Sequence, residues 1–169
     1  MLIDLAEVVV FHHALGLTGH VLRFADGLRA AGHTVHAPDL YDGRTFHTID
    51  DGMAHVDELG GPMAIVERAR AAVAPLPNEA VYIGFSLGVL SAQALAQTRA
   101  GARGAVLCYS AVPVGDEDFE IAQQLAATVS GADLFVYPGG EHYFAEHDEQ
   151  AAALLMERVL DFLAAAGHF

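Results

Sequence analysis

Ala80-Val81-Tyr82-Ile83-Gly84-Phe85-Ser86-Leu87-Gly88 decides the reading of this chain. Its first four residues are apolar strand formers, and residues 87–98 read as a helix. A strand, then G-x-S-x-G, then a helix is the context of a nucleophile elbow. The strand aims the serine at the carboxyl edge of a sheet. The turn is so tight that its flanking residues must be small, which accounts for Gly84 and Gly88. The helix start presents unpaired N–H groups and a partial positive charge towards the serine oxygen. A chance match in an ordinary βα turn is the competing explanation, and the flanking strand and helix weigh against it.

Upstream, Val8-Val9-Val10-Phe11 is a continuous β-branched and aromatic run. It suits a strand buried on both faces, as in a parallel sheet. The pattern predicts a helix over 18–31, with Gly32 at the C′ position. A short strand over 34–37 is stopped by Pro38, and 39–44 is a loop. The region 49–74 reads as two helices broken at Gly60-Gly61-Pro62. Downstream, the pattern predicts a fourth strand over 104–109, a helix over 116–129, a fifth strand over 133–137 and a closing helix over 148–165. Alternating strands and helices imply βαβ units. The expected fold is α/β: a mostly parallel sheet with helices on both faces, in one domain over 1–169 without a lid. Ligands of such sheets bind at the carboxyl ends of the strands. His12-His13, Ser86 and His142 all lie just past strand ends.

Composition narrows the function. The chain has 169 residues, 53% hydrophobic and 18% charged, a globular composition. A formal net charge of −14 and no basic run argue against nucleic acid and disfavour strongly anionic substrates. A lone cysteine, Cys108, allows no internal disulfide and fits a reducing compartment. The first residues have no basic n-region, and the run 8–11 is too short for a signal core or a membrane span. The expectation is a soluble cytoplasmic protein without a membrane partner.

A serine hydroxyl needs a base to take its proton. His142 is the best of ten histidines. It follows the last predicted strand, giving the order Ser…Asp/Glu…His, and Gly139 and Gly140 free its loop to turn the ring inward. The oxyanion needs two N–H donors. Leu87, after the nucleophile, supplies one, and Ala14, after the first strand, is the choice for the other. His12 and His13 are adjacent, so at a strand end they point in opposite directions. No further ligand spacing accompanies them, and a structural role outweighs metal binding. For the acid, chain order alone selects Asp116, with Asp118 as runner-up. An acidic helix start is equally explained by the helix dipole.

The elbow Gly84-Phe85-Ser86-Leu87-Gly88, the segment Ala37-Pro38-Asp39-Leu40-Tyr41 and the ending Tyr137-Pro138-Gly139-Gly140-Glu141-His142-Tyr143-Phe144 resemble the dienelactone hydrolase family of α/β-hydrolases. The resemblance runs from Val8 nearly to the end. It places the family's nucleophile on Ser86, its histidine on His142 and its first-strand oxyanion donor on Ala14. It implies ester or lactone substrates and no metal or organic cofactor. The founding enzymes use cysteine where this chain has Ser86, which points to ordinary ester chemistry. Their acid before the oxyanion donor is replaced by His13. Their arginines that hold a substrate carboxylate find only Arg44 nearby, so His13 and Arg44 are the expected substrate-binding residues. The family has a further strand, followed by the catalytic aspartate, with no counterpart between Gly115 and Asp116. The loop near 147–148 is also short. Either the fold is trimmed, or segments are missing from the sequence. The expected activity is a serine hydrolase acting through an acyl-enzyme, as a monomer or homodimer. A non-catalytic binding protein on the same fold and an acyltransferase or thioesterase are the rivals.

Overall fold

The computed structural model describes residues 5–110 and 118–166. In chain order the elements are β1 (Glu7–Phe11), α1 (Gly19–Ala30), β2 (Thr34–His36), α2 (Ile49–Glu58), α3 (Pro62–Val73), β3 (Ala80–Phe85), α4 (Gly88–Thr98), β4 (Gly104–Cys108), α5 (Asp118–Thr128), α6 (Phe144–His147) and α7 (Glu149–Ala166).

The strands form a four-stranded sheet in the order β2-β1-β3-β4, with every pairing parallel. Apolar residues on both faces of a strand demand cover on both sides, and the helices supply it. Val8, Val10, Val81, Ile83 and Phe85 pack with Val21, Ala25 and Leu28 of α1 and with Leu155, Val159 and Leu163 of α7. The alternate residues Val9, Phe11, Ala80 and Tyr82 pack with Val56 of α2, Ile65, Ala69 and Val73 of α3, and Ala92 and Leu95 of α4. Val8 through Phe11 are fully buried. Each such side chain contributes roughly 1.5–3 kcal/mol of burial, making β1 and β3 the spine of the sheet.

The chain leaves β1 towards β2 on one side, and β3 then pairs on the other side of β1. The crevice opened by that reversal lies at the carboxyl ends of β1 and β3, where such sheets bind ligands. Ser86 follows β3 directly, and the turn holding His13 and Ala14 follows β1.

Two expectations need correction. Residues 133–137 take no regular secondary structure and pair with no strand among the described residues. Leu134, Phe135 and Val136 are 39%, 49% and 63% exposed, so nothing covers both faces as a central strand requires. The Arg158 guanidinium instead lies over the rings of Phe135 and Tyr137. The loop expected after His142 contains the short helix α6, and that helix carries a residue of the site.

Candidate active site

Ser86 sits at φ 50°, a left-handed conformation that non-glycine residues seldom adopt. The backbone around it holds the strain. The Ser86 N–H donates to the Cys108 carbonyl at 2.8 Å, and the Val89 N–H donates to the Ser86 carbonyl at 2.9 Å. A Cβ on Gly84 would lie 2.4 Å from the Gly88 oxygen, and one on Gly88 would lie 2.3 Å from the Phe11 oxygen. The elbow therefore closes only with glycine at both places, and α4 rests directly on the end of β1.

Across this turn, Ser86 Oγ is 2.8 Å from His142 Nε2. The serine is half-buried and the histidine exposed, so the pair opens to solvent. Aromatic rings frame it. Tyr143 and Tyr109 lie 4.8 and 6.0 Å from the His142 ring, and Phe144 packs edge-on against Tyr109. Burial pushes the Tyr143 phenol up from its ordinary value, while neighbouring Ser86 pulls it down. The Tyr143 hydroxyl makes no hydrogen bond of normal geometry among the described residues, so its relation to Ser86 is proximity. Burial also pushes up the Tyr109 phenol, so both rings present neutral hydroxyls at ordinary pH.

The two residues expected to meet an oxyanion, Leu87 and Ala14, would do so through backbone N–H groups. Leu87 begins the elbow helix in helical conformation, and Ala14 is buried in the turn after β1. Among the described residues, neither N–H donates to a backbone carbonyl. The Gly16 N–H closes the turn onto the His13 carbonyl at 3.0 Å. Helix α2 seats itself against the same turn, since a Cβ on Gly52 would fall 2.1 Å from the Ala14 oxygen. Sequence reading passed over Gly52, although a glycine inside a helix costs about 1 kcal/mol relative to alanine and so signals close packing.

His12 and His13 are both buried and both bonded through their two nitrogens. His12 Nδ1–H donates to the His13 carbonyl at 2.8 Å, and its Nε2 accepts the Leu40 N–H at 3.1 Å. Burial lowers its pKa to about 4, so it is a neutral clamp between the turn after β1 and the loop after β2. His13 Nδ1 accepts the Leu15 N–H at 3.3 Å, and Nε2 lies 2.7 Å from Glu146 Oε1. Glu146 escaped sequence reading because its partner lies 133 residues away. Among the described residues, no group of three His, Cys, Asp or Glu side chains is placed to hold a metal ion.

Arg44 lies over Phe46 and bonds His55 Nδ1 at 3.1 Å, with Glu58 at 3.5 Å. Its partners thus belong to α2 and the loop before it. Asp116 lies outside the described residues, as does the side chain of Asp118. Cys108 is buried at the end of β4, and burial pushes its thiol up to about 12, which leaves it protonated and unreactive. A cavity of about 230 Å³ behind the site is bordered by Phe24, Phe85, Tyr109, Glu146, Leu155 and Met156, with His20 and Arg23 also on its wall.

A family model described as the dienelactone hydrolase family matches residues 4–131. Among solved structures, one named m3DLH aligns at 20% identity and a TM-score of 0.67, covering 93% of this chain and 86% of its own. A dienelactone hydrolase-like promiscuous phosphotriesterase from metagenomic libraries aligns at 20% identity and a TM-score of 0.69, with 95% and 86% covered. At that identity the two structures establish the fold alone. No curated protein matches.

Proposed function

The chain belongs to the dienelactone hydrolase family, and from that premise we propose that it is a serine hydrolase cleaving a small ester or lactone through an acyl-enzyme on Ser86. The observation that carries the reading is the 2.8 Å approach of Ser86 Oγ to His142 Nε2 at a left-handed elbow. His142 accepts the serine proton as Oγ adds to the substrate carbonyl carbon. The negative charge that develops on the carbonyl oxygen is met by the Ala14 and Leu87 N–H groups. Collapse expels the alcohol, which takes its proton from His142. Water, deprotonated by the same ring, then adds to the acyl group and frees Ser86. Asp116 is assigned the orientation of His142 on chain order. Phe24, Phe85, Tyr109, Leu155 and Met156 in the neighbouring cavity favour a small partly apolar group, and the formal charge of −14 disfavours a polyanion.

A fluorophosphonate probe and p-nitrophenyl acetate test the reading together. The folded protein is expected to be labelled on Ser86 and to release p-nitrophenol. Ser86→Ala is expected to lose label and about 10⁴-fold or more in kcat. Folded wild type that neither labels nor turns over the ester would refute the assignment. Asp116→Asn is expected to lower kcat far more than Asp118→Asn, and the reverse order would transfer the acid role to Asp118.

A further inference from the structure

The base and the oxyanion donor reach the site from opposite ends of the sequence. Ala14 rides on the turn after β1, and His142 precedes α6. Among the described residues, one polar side-chain contact joins those two segments, from His13 Nε2 to Glu146 Oε1 at 2.7 Å. The partners are well sheltered, with side-chain exposures of 0% and 12%. The Leu15 N–H occupies His13 Nδ1, so the ring proton sits on Nε2 and the contact is a donated hydrogen bond. Glu146 is held in turn by its own backbone, whose N–H donates to the Tyr143 carbonyl at 2.9 Å. The Tyr143 ring contacts both histidines, 4.6 Å from the His13 ring and 4.8 Å from the His142 ring. Ala14 and His142 each lie within four positions of one end of this bridge.

We infer that Glu146 is a positioning residue, fixing through His13 the separation between the Ala14 N–H and the His142 ring. The inference rests on the serine-hydrolase reading and extends it to a residue that touches no reacting atom. An error of about 1 Å between base and oxyanion donor costs up to about 100-fold in rate, so a bridge of this kind acts on the transition state more than on substrate binding. Glutamine keeps a carbonyl oxygen for the Nε2–H, whereas alanine removes the acceptor.

Glu146→Ala and Glu146→Gln, assayed on p-nitrophenyl acetate beside thermal melts, separate positioning from bulk stability. Glu146→Ala is expected to lower kcat about tenfold with KM within about twofold, and Glu146→Gln to restore most of the rate. A wild-type kcat in Glu146→Ala overturns the inference. So does a loss that glutamine leaves unrepaired, or one confined to KM. Amide hydrogen exchange on the same variants supplies a readout independent of turnover. Glu146→Ala is expected to speed exchange in both 12–16 and 142–147, and loosening of only one segment, or neither, rejects the bridge. Should wild type prove unlabelled and inactive, the hydrolase reading falls, and exchange alone decides whether the bridge exists.

Discussion

His12 illustrates how a single buried ring couples the site to pH. It is neutral in the folded protein because both nitrogens are committed and burial penalises its charge. Unfolded, the same ring takes a proton near its ordinary pKa of 6.5. Between 6.5 and about 4 the unfolded chain binds more protons, so stability falls as pH falls through that window. At pH 5 the loss from this one group is about 2 kcal/mol. Urea titrations at pH 7 and pH 5 measure it, and His12→Gln is expected to flatten the difference. An unchanged difference in that variant would clear His12 of the effect. Legibility at this scale followed sequence distance and chemistry. The approach of Ser86 to His142 was readable because motif and chain order point to both residues. Glu146 was not, because a half-buried glutamate on a short helix carries no local mark of its partner in β1's turn.

At the scale of elements, the glycine inside α2 is the informative one. Replacing an exposed helical glycine by alanine ordinarily gains about 1 kcal/mol. Gly52 is buried against the Ala14 carbonyl, where a methyl group finds 2.1 Å. Gly52→Ala is therefore expected to destabilise by about 1–3 kcal/mol, as overpacking does, and to lower kcat by shifting the turn that holds Ala14, the proposed oxyanion donor. Urea denaturation and steady-state kinetics together check this, and a stabilised variant with normal kcat would dismiss the role given to α2. The strands that sequence identified best, β1 and β3, are those with an uninterrupted buried run, Val8 to Phe11 and Ala80 to Phe85. Residues 133–137 carry the same β-branched and aromatic signature, yet that signature says nothing of a partner. Pairing is decided by what lies alongside, which the segment's own letters do not encode.

The molecule as a whole carries a formal charge of −14, and that field acts on any substrate before it meets Ser86. For an ester bearing a carboxylate, kcat/KM is expected to rise several-fold as salt is raised from about 0.01 to 0.15 M, where the Debye length shrinks from about 30 to 8 Å. A neutral ester of equal size should show no such trend, and parallel behaviour of the two would remove the field from the account. Parallel α/β architecture was legible because strands and helices recur together from β1 to β4, a pattern spread over most of the chain. Among the described residues no helix is long and apolar enough to cross a membrane. The lone thiol has a consequence of another kind. Cys108 is sealed and protonated, and its carbonyl receives the Ser86 N–H. A chromogenic disulfide can react with it only when the end of β4 lifts away from the elbow. The chain therefore contains its own clock for the breathing of the turn at Ser86, expected to run at least about 100-fold slower in native buffer than in urea. A covalent adduct on Ser86 that slows the clock further would tie that breathing to the occupied site.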